Sequence, residues 1–176
     1  MRVTRKQAEL NRQRIIDSAI RLFAERGVGG VGVAEVMADA GFTHGGFYNH
    51  FPSKEELVNE ACATSFARSA ALLRDGGRLW QRTQDEDFGE CLSAAMLCES
   101  AKGDSRLGAI FASGLRDLLD ILEDRHGDSS SAVSALSCFV GARVLLRAAQ
   151  PADRELAGQF ETMLYPENQP RLHASS

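Results

Sequence analysis

The run Gly41-Phe42-Thr43-His44-Gly45-Gly46-Phe47-Tyr48-Asn49-His50-Phe51-Pro52 decides how this chain is read. Gly41 can take the positive φ that closes a helix, and Pro52 forbids simple continuation, so the residues between them form one short bounded unit. Thr43 can N-cap that unit, and Phe47 and Phe51, four apart, share its buried side. Gly45 and Gly46 each cost a helix about 1 kcal/mol relative to Ala, so a purely structural helix would not favour them. Small residues let a backbone approach another surface closely, and around them His44, Tyr48, Asn49 and His50 carry groups that can reach base edges or phosphates. A plainer reading stands beside this one: Phe47 and Phe51 fit a small core, and Tyr48 can cover a seam.

Upstream, Val33, Val36, Met37 and Ala40 make a short apolar stripe that Gly41 ends. Two helices, Val33 to Ala40 and Thr43 to His50, joined by a tight turn have the dimensions of a helix-turn-helix, whose second helix enters the major groove of DNA. Before them, Thr4 and Gln7 have capping-box spacing, Ile16, Ala19, Ile20 and Phe23 form an amphipathic stripe, and Gly27, Gly29 and Gly30 stop it. After them, Ser53-Lys54-Glu55-Glu56 restarts a helix with a second capping box, running to about Leu73, where Asp75-Gly76-Gly77 breaks it. Lys54 puts a positive charge beside the unpaired N–H groups of that helix start, a favourable place for a phosphate. Helical stretches follow around Cys91 to Ala101, Ser105 to Arg125, Ser131 to Ala149 and Ala152 to Leu164. No strand alternation competes, so an all-α fold is predicted. Pro166 to Ser176 is polar and expected to fray.

The 176 residues, 44% apolar and 25% charged, describe an ordinary globular chain. No apolar run approaches the roughly 18 residues a membrane span needs, and Met1 to Leu10 is basic and polar, unlike a secretory signal, so a cytoplasmic location is expected. Cys62, Cys91, Cys98 and Cys138 show no CxxC or Cys/His pairing, so no metal, cofactor or disulfide framework is expected. The net charge of −4 is unevenly spread: residues 1–14 carry five basic side chains against one acid, and residues 61–176 carry 12 against 16. A basic arm on an acidic body is compatible with phosphate contact at one end.

The segments Arg14-Ile15-Ile16, Leu22-Phe23-Ala24-Glu25-Arg26-Gly27, Ala34-Glu35-Val36-Met37-Ala38-Asp39-Ala40-Gly41 and Thr43 through Leu57 together resemble the DNA-binding domain of TetR-family repressors. The resemblance covers about residues 12–60. It implies residues 1–52 as a three-helix helix-turn-helix domain, residues 53–165 as a helical ligand-binding and dimerisation domain, and residues 166–176 as a tail. It further implies a homodimer on palindromic double-stranded operator DNA, repressing its own gene and adjacent efflux or detoxification genes until a small-molecule inducer binds. Carried over by residue, Thr43, His44, Gly45 and Phe47 would lie toward bases and Tyr48, His50 and Lys54 toward phosphates; Asn49 occupies a variable position. Many relatives have Thr or Ser where Gly32 stands, so a side-chain phosphate contact is lost and a looser loop is expected.

In the second half, Gly89-Glu90-Cys91-Leu92 with Glu99 is similar to the Gly-Cys-Leu segment of a TetR subgroup answering quinones, flavonoids and electrophiles, with Glu90 interposed. Cys91 is thus a redox-sensing candidate, although a neighbouring Glu90 disfavours its thiolate, and the alternative is an ordinary packed cysteine. The interval from Asp75 to Glu90 is short for such relatives. Phe66, Trp80, Met96, Phe111 and Leu115 are candidates to line an inducer pocket, or equally to form bundle core. Ser131 to Ala149 is apolar over more than one face, so Leu136, Phe139, Val140, Arg143 and Leu146 are candidates for a dimer interface formed with Ala152 to Leu164. A rival reading, an enzyme using Cys91 or a histidine, finds no nucleophile-base-orienter set and no phosphate-binding fingerprint, since the glycines of 27–32 follow a helix.

Overall fold

A computed structural model describes residues 4–77 and 105–164. Among them every regular element is a helix: α1 (Arg5–Arg26), α2 (Val33–Asp39), a short 3-10 helix (His44–Asn49), α3 (Lys54–Arg74), α4 (Ser105–His126), α5 (Ser129–Ala149) and α6 (Arg154–Leu164).

Helix starts obey local chemistry. The Thr4 hydroxyl accepts from the Gln7 N–H at 3.2 Å, the Ser53 hydroxyl from the Glu56 N–H at 3.2 Å, and the Asp128 carboxylate from the Ser131 N–H at 2.9 Å. Asp128 moves the start of α5 two residues ahead of the sequence expectation. At the end of α2, Gly41 has φ +82°, and the Phe42 N–H donates back to the Met37 carbonyl at 2.7 Å, satisfying a carbonyl that the helix leaves over.

The expected stripes are buried: Ile16, Ala19, Ile20 and Phe23 on α1 meet Val36, Met37 and Ala40. Ion pairs bind α2 across α1, Arg21 to Asp39 and Arg26 to Glu35 at 2.9 Å. Helix α3 packs on α1 with one side and on α4 with the other, α5 packs on α4, and α6 on α5. One connected apolar core therefore runs from Ile15 to Leu164, with α3 common to both halves.

In the α3–α4 seam, Phe66 and Phe111 are buried in edge-to-face contact, with centroids 5.2 Å apart. Gly114 lets them close: a Cβ there would overlap the Phe66 ring. Leu115 is half-buried beside them. Trp80, Met96, Cys91 and Cys98, the Asp75-to-Glu90 interval beyond residue 77, and the tail 166–176 lie outside the described residues.

Helix α5 corrects two expectations. Leu136 and Phe139, expected at a dimer interface, are 5% and 4% exposed and face the protomer's own core with Ala132 and Ala142. Helical phase is the reason: these residues lie at i, i+4, i+7 and i+10 of one stripe. The opposite side carries exposed Val133, Ser137, Leu145 and Ala148 with half-buried Gly141 and Val144, without a charge, and Val140, Arg143 and Leu146 are half-buried too. On α6, Leu156 and Met163 are exposed as well. Moreover, the expectation that no apolar run approaches a membrane span does not hold for α5, which by length and composition alone is apolar enough to cross a bilayer, its Val, Leu, Phe and Ala residues outweighing the interspersed Ser and Gly. Only 22% of its most apolar stretch is buried, so much of this apolar helix is without cover among the described residues.

Candidate nucleic-acid interface

The short helix at 44–49 is built by what surrounds it. Thr43 occupies the N-cap with extended backbone, φ −82° and ψ 148°, but its hydroxyl makes no capping bond; the Gly46 N–H instead donates to the Thr43 carbonyl at 3.0 Å. The expected α-helix from Thr43 to His50 is thus a tighter 3-10 turn, which two glycines, six residues and a following proline favour over a regular α-helix.

Phe47 and Phe51 are its keel. Both are fully buried, their rings stacked at 5.6 Å, and Phe47 meets the Tyr48 ring edge-on at 5.3 Å. This corrects the expectation for Phe47: it has no surface to offer a base, because the phase that exposes Tyr48 turns Phe47 inward. Outward lie Thr43, His44, Gly45 and Asn49, all exposed, and Tyr48, 67% exposed. His50 is half-buried, its ring 6.4 Å from that of Phe42. A Cβ on Gly45 would meet nothing within 4 Å among the described residues, so none of them requires glycine there.

Basic groups flank this ridge in different ways. Arg5 and Lys6 are exposed on the first turn of α1, and exposed Arg14 lies 5.0 Å from the centroid of the Phe42 ring. The Lys54 ammonium, at the start of α3, donates to the Val28 carbonyl at 2.6 Å, holding the α1–α2 loop while half-exposed itself. Arg12, one of the basic arm by sequence, turns inward to His50 and Glu60. Local spacing could not reveal this, because its partners are 38 and 48 residues away.

The loop before α2 has its own tether. Gly32 caps α2 without a side chain, and Glu35 reaches back to accept the Gly32 N–H at 2.7 Å while also pairing with Arg26. The Gly32 N–H, then Arg26, hold the Glu35 carboxyl below its ordinary value. Burial of Asp39 opposes its ionisation, but hydrogen bonds from Arg21 and Ser18 and the charge of Arg21 outweigh it, so this carboxyl is also lowered.

Comparison with known proteins places this geometry. Residues 15–61 match the family of bacterial regulatory proteins, tetR family. The chain is 41% identical over 59 residues to the HTH-type transcriptional regulator AcrR of Shigella flexneri, covering 34% of this chain and 27% of that one. It is 39% identical over 54 residues to the HTH-type transcriptional repressor KstR2 of Mycobacterium tuberculosis (strain ATCC 25618 / H37Rv), covering 31% and 27%. The match thus spans about a quarter of either relative's length. The fold extends further: reduced NemR of E. coli superposes with a TM-score of 0.62 at 18% identity, over 89% of this chain and 96% of that one. Residues 15–61 are thus similar to the N-terminal domain of that family, and the relatives matched there are transcriptional regulators rather than enzymes.

Proposed function

We propose that this chain, with its TetR-family N-terminal domain, is a cytoplasmic homodimeric regulator that binds palindromic operator DNA through the 44–49 helix. The observation that carries this reading is the ridge of Thr43, His44, Gly45, Tyr48 and Asn49: polar, exposed, free of acidic groups and mounted on the fully buried Phe47 and Phe51. A ridge on a rigid keel can enter a groove without rearranging. Thr43, His44, Gly45 and Asn49 are assigned to base edges, and Tyr48, His50 and Lys54 to phosphates; a lysine has three donors, so Lys54 can serve Val28 and a phosphate together. Phe47 keeps only the keel role.

The dimer pairs the outer faces of α5 and α6, with Val133, Leu145, Leu156 and Met163 exposed there and Val140 and Val144 half-buried. Small residues at the middle of this face, Ser137, Gly141 and Ala148, allow two helices to approach closely. Two-fold symmetry then sets two reading helices on half-sites about 34 Å apart or a multiple of that. An inducer entering near Phe66, Phe111 and Leu115 acts by favouring one separation of these helices over another, releasing the protein's own gene and an adjacent efflux or detoxification gene.

Selection from random-sequence duplex DNA, followed by mobility shift across salt concentrations, tests the core of this reading. A two-fold symmetric site, affinity falling steeply with salt, and a lost shift for Tyr48→Ala combined with Lys54→Ala are expected. A shift that is insensitive to salt or unaltered in the double variant overturns it. Inducers are sought by thermal shift against aromatic and quinone-like compounds.

A further inference from the structure

The N-terminal arm carries five basic side chains, yet one of them, Arg12, leaves the group. Arg5, Lys6 and Arg14 are exposed, whereas the Arg12 side chain is 25% exposed and its guanidinium meets three segments at once. Its Nη1 donates to the carbonyl of His50, the residue that ends the 44–49 helix, and its Nη2 pairs with Glu60 on α3. Its flat face lies 4.0 Å from the centroid of the Phe51 ring. A guanidinium is suited to this, with in-plane donors for two acceptors and a face that stacks on an aromatic ring.

The short helix needs such a tie. A helix end leaves carbonyls without partners, Pro52 has no N–H to offer, and the 3-10 turn spans only six residues, two of them glycine. No continuous backbone hydrogen bonding therefore carries its orientation across Pro52 into α3. Glu60, moreover, stands one turn after Glu56, which Arg106 of α4 holds with two hydrogen bonds of 2.5 and 2.9 Å. The second half of the protein and the DNA-facing helix thus grip neighbouring rungs of α3.

We propose that Arg12 and Glu60 are positioning residues for DNA recognition: they fix the 44–49 helix to α3 through the His50 carbonyl and Phe51, and the charge of Arg12 is used inside the protein rather than on a phosphate. The proposal rests on the DNA-binding reading above, and it gives signs opposite to simple electrostatics. Removing an acid near a DNA-facing surface should strengthen binding; the clamp requires that Glu60→Gln weaken it.

The test uses the full chain and the duplex recovered by selection. Glu60→Gln should bind about tenfold more weakly, the scale of one lost charge-assisted hydrogen bond. Arg12→Gln should lose affinity likewise while the slope of log K against log salt stays at the wild-type value. A lost phosphate contact would instead lower that slope by about 0.9. Amide hydrogen exchange without DNA supplies a second readout: both variants should exchange faster across residues 44–51 and at the wild-type rate within α1 residues 15–24. Arg12→Lys, which keeps the charge but not the fork, should exchange like Arg12→Gln. Wild-type or tighter affinity for Glu60→Gln, a slope reduced in Arg12→Gln, or unchanged exchange at 44–51 overturns the clamp. If the wild-type chain bound no DNA, the DNA-binding reading would fall, and the exchange measurement would still decide whether the clamp holds the helix.

Discussion

Two adjacent aromatic residues, Phe47 and Tyr48, stand on opposite sides of the 44–49 helix, one buried and one exposed. Phe47 is fully buried, so Phe47→Ala should cost about 3–5 kcal/mol in denaturant unfolding. Tyr48→Ala, at an exposed position, should change stability by no more than about 0.5 kcal/mol and show its effect in the mobility shift alone. The residues around the two glycines marked His44, Tyr48, Asn49 and His50 as the reaching set; the structure exposes the first three and leaves His50 half-buried. Sequence spacing left Phe47 open between core and contact because the deciding quantity, the phase of a turn with 3-10 rather than α geometry, depends on what Phe51 and Met37 do in three dimensions. Arg12 was illegible for a related reason: a basic residue at a basic terminus looks solvent-directed until His50 and Glu60, far along the chain, are brought beside it.

Among the elements, starts and stops were the most readable because they depend on contacts within a few residues. Thr4, Gly41, Ser53 and Gly76 all stand where capping chemistry puts them. The exception is the loop at 27–32, where a run of glycines suggested looseness, yet Glu35 and Lys54 each hold it by a backbone group. This tether is pH-dependent with a definite sign. The folded-state Glu35 carboxyl lies below its ordinary 4.5, so its stabilisation is fully present above 4.5 and lost as pH falls through the lowered value. In thermal melts, the advantage of wild type over Glu35→Gln should be constant from pH 7 to 5 and vanish under stronger acid. A difference that grows on acidification would contradict the assignment.

At the scale of the whole molecule, the apolar pattern of α5 announced that two surfaces were involved without saying which stripe served which. Leu136 and Phe139 face the protomer's own core, and the opposite stripe is the face the proposed dimer uses. Leu145→Glu, at a position 50% exposed, should therefore leave the melting curve of dilute protein nearly unchanged while light scattering reports monomers. Leu136→Ala should do the reverse, costing about 2–5 kcal/mol of protomer stability. The charge-free outer face of α5 and the net-acidic second half leave the basic arm a favourable side for a polyanion. Within that side, Gly32 is a setting rather than a defect. Its φ of −88° suits any L-residue, and an added Cβ would lie 3.4 Å from Glu35 Oε2, an approach that a slight shift of that side chain relieves. Gly32→Thr would supply a hydroxyl at the α2 start and should tighten operator binding several-fold, within the range of a single added capping or phosphate hydrogen bond. Titration of the same duplex with both proteins checks it. A regulator that leaves this hydroxyl out occupies its site less fully at a given copy number. Under the proposed repressor reading, the gene beneath it would run at a higher resting output and answer smaller doses of signal, a sensitivity adjusted at one loop position without altering which sequence is read.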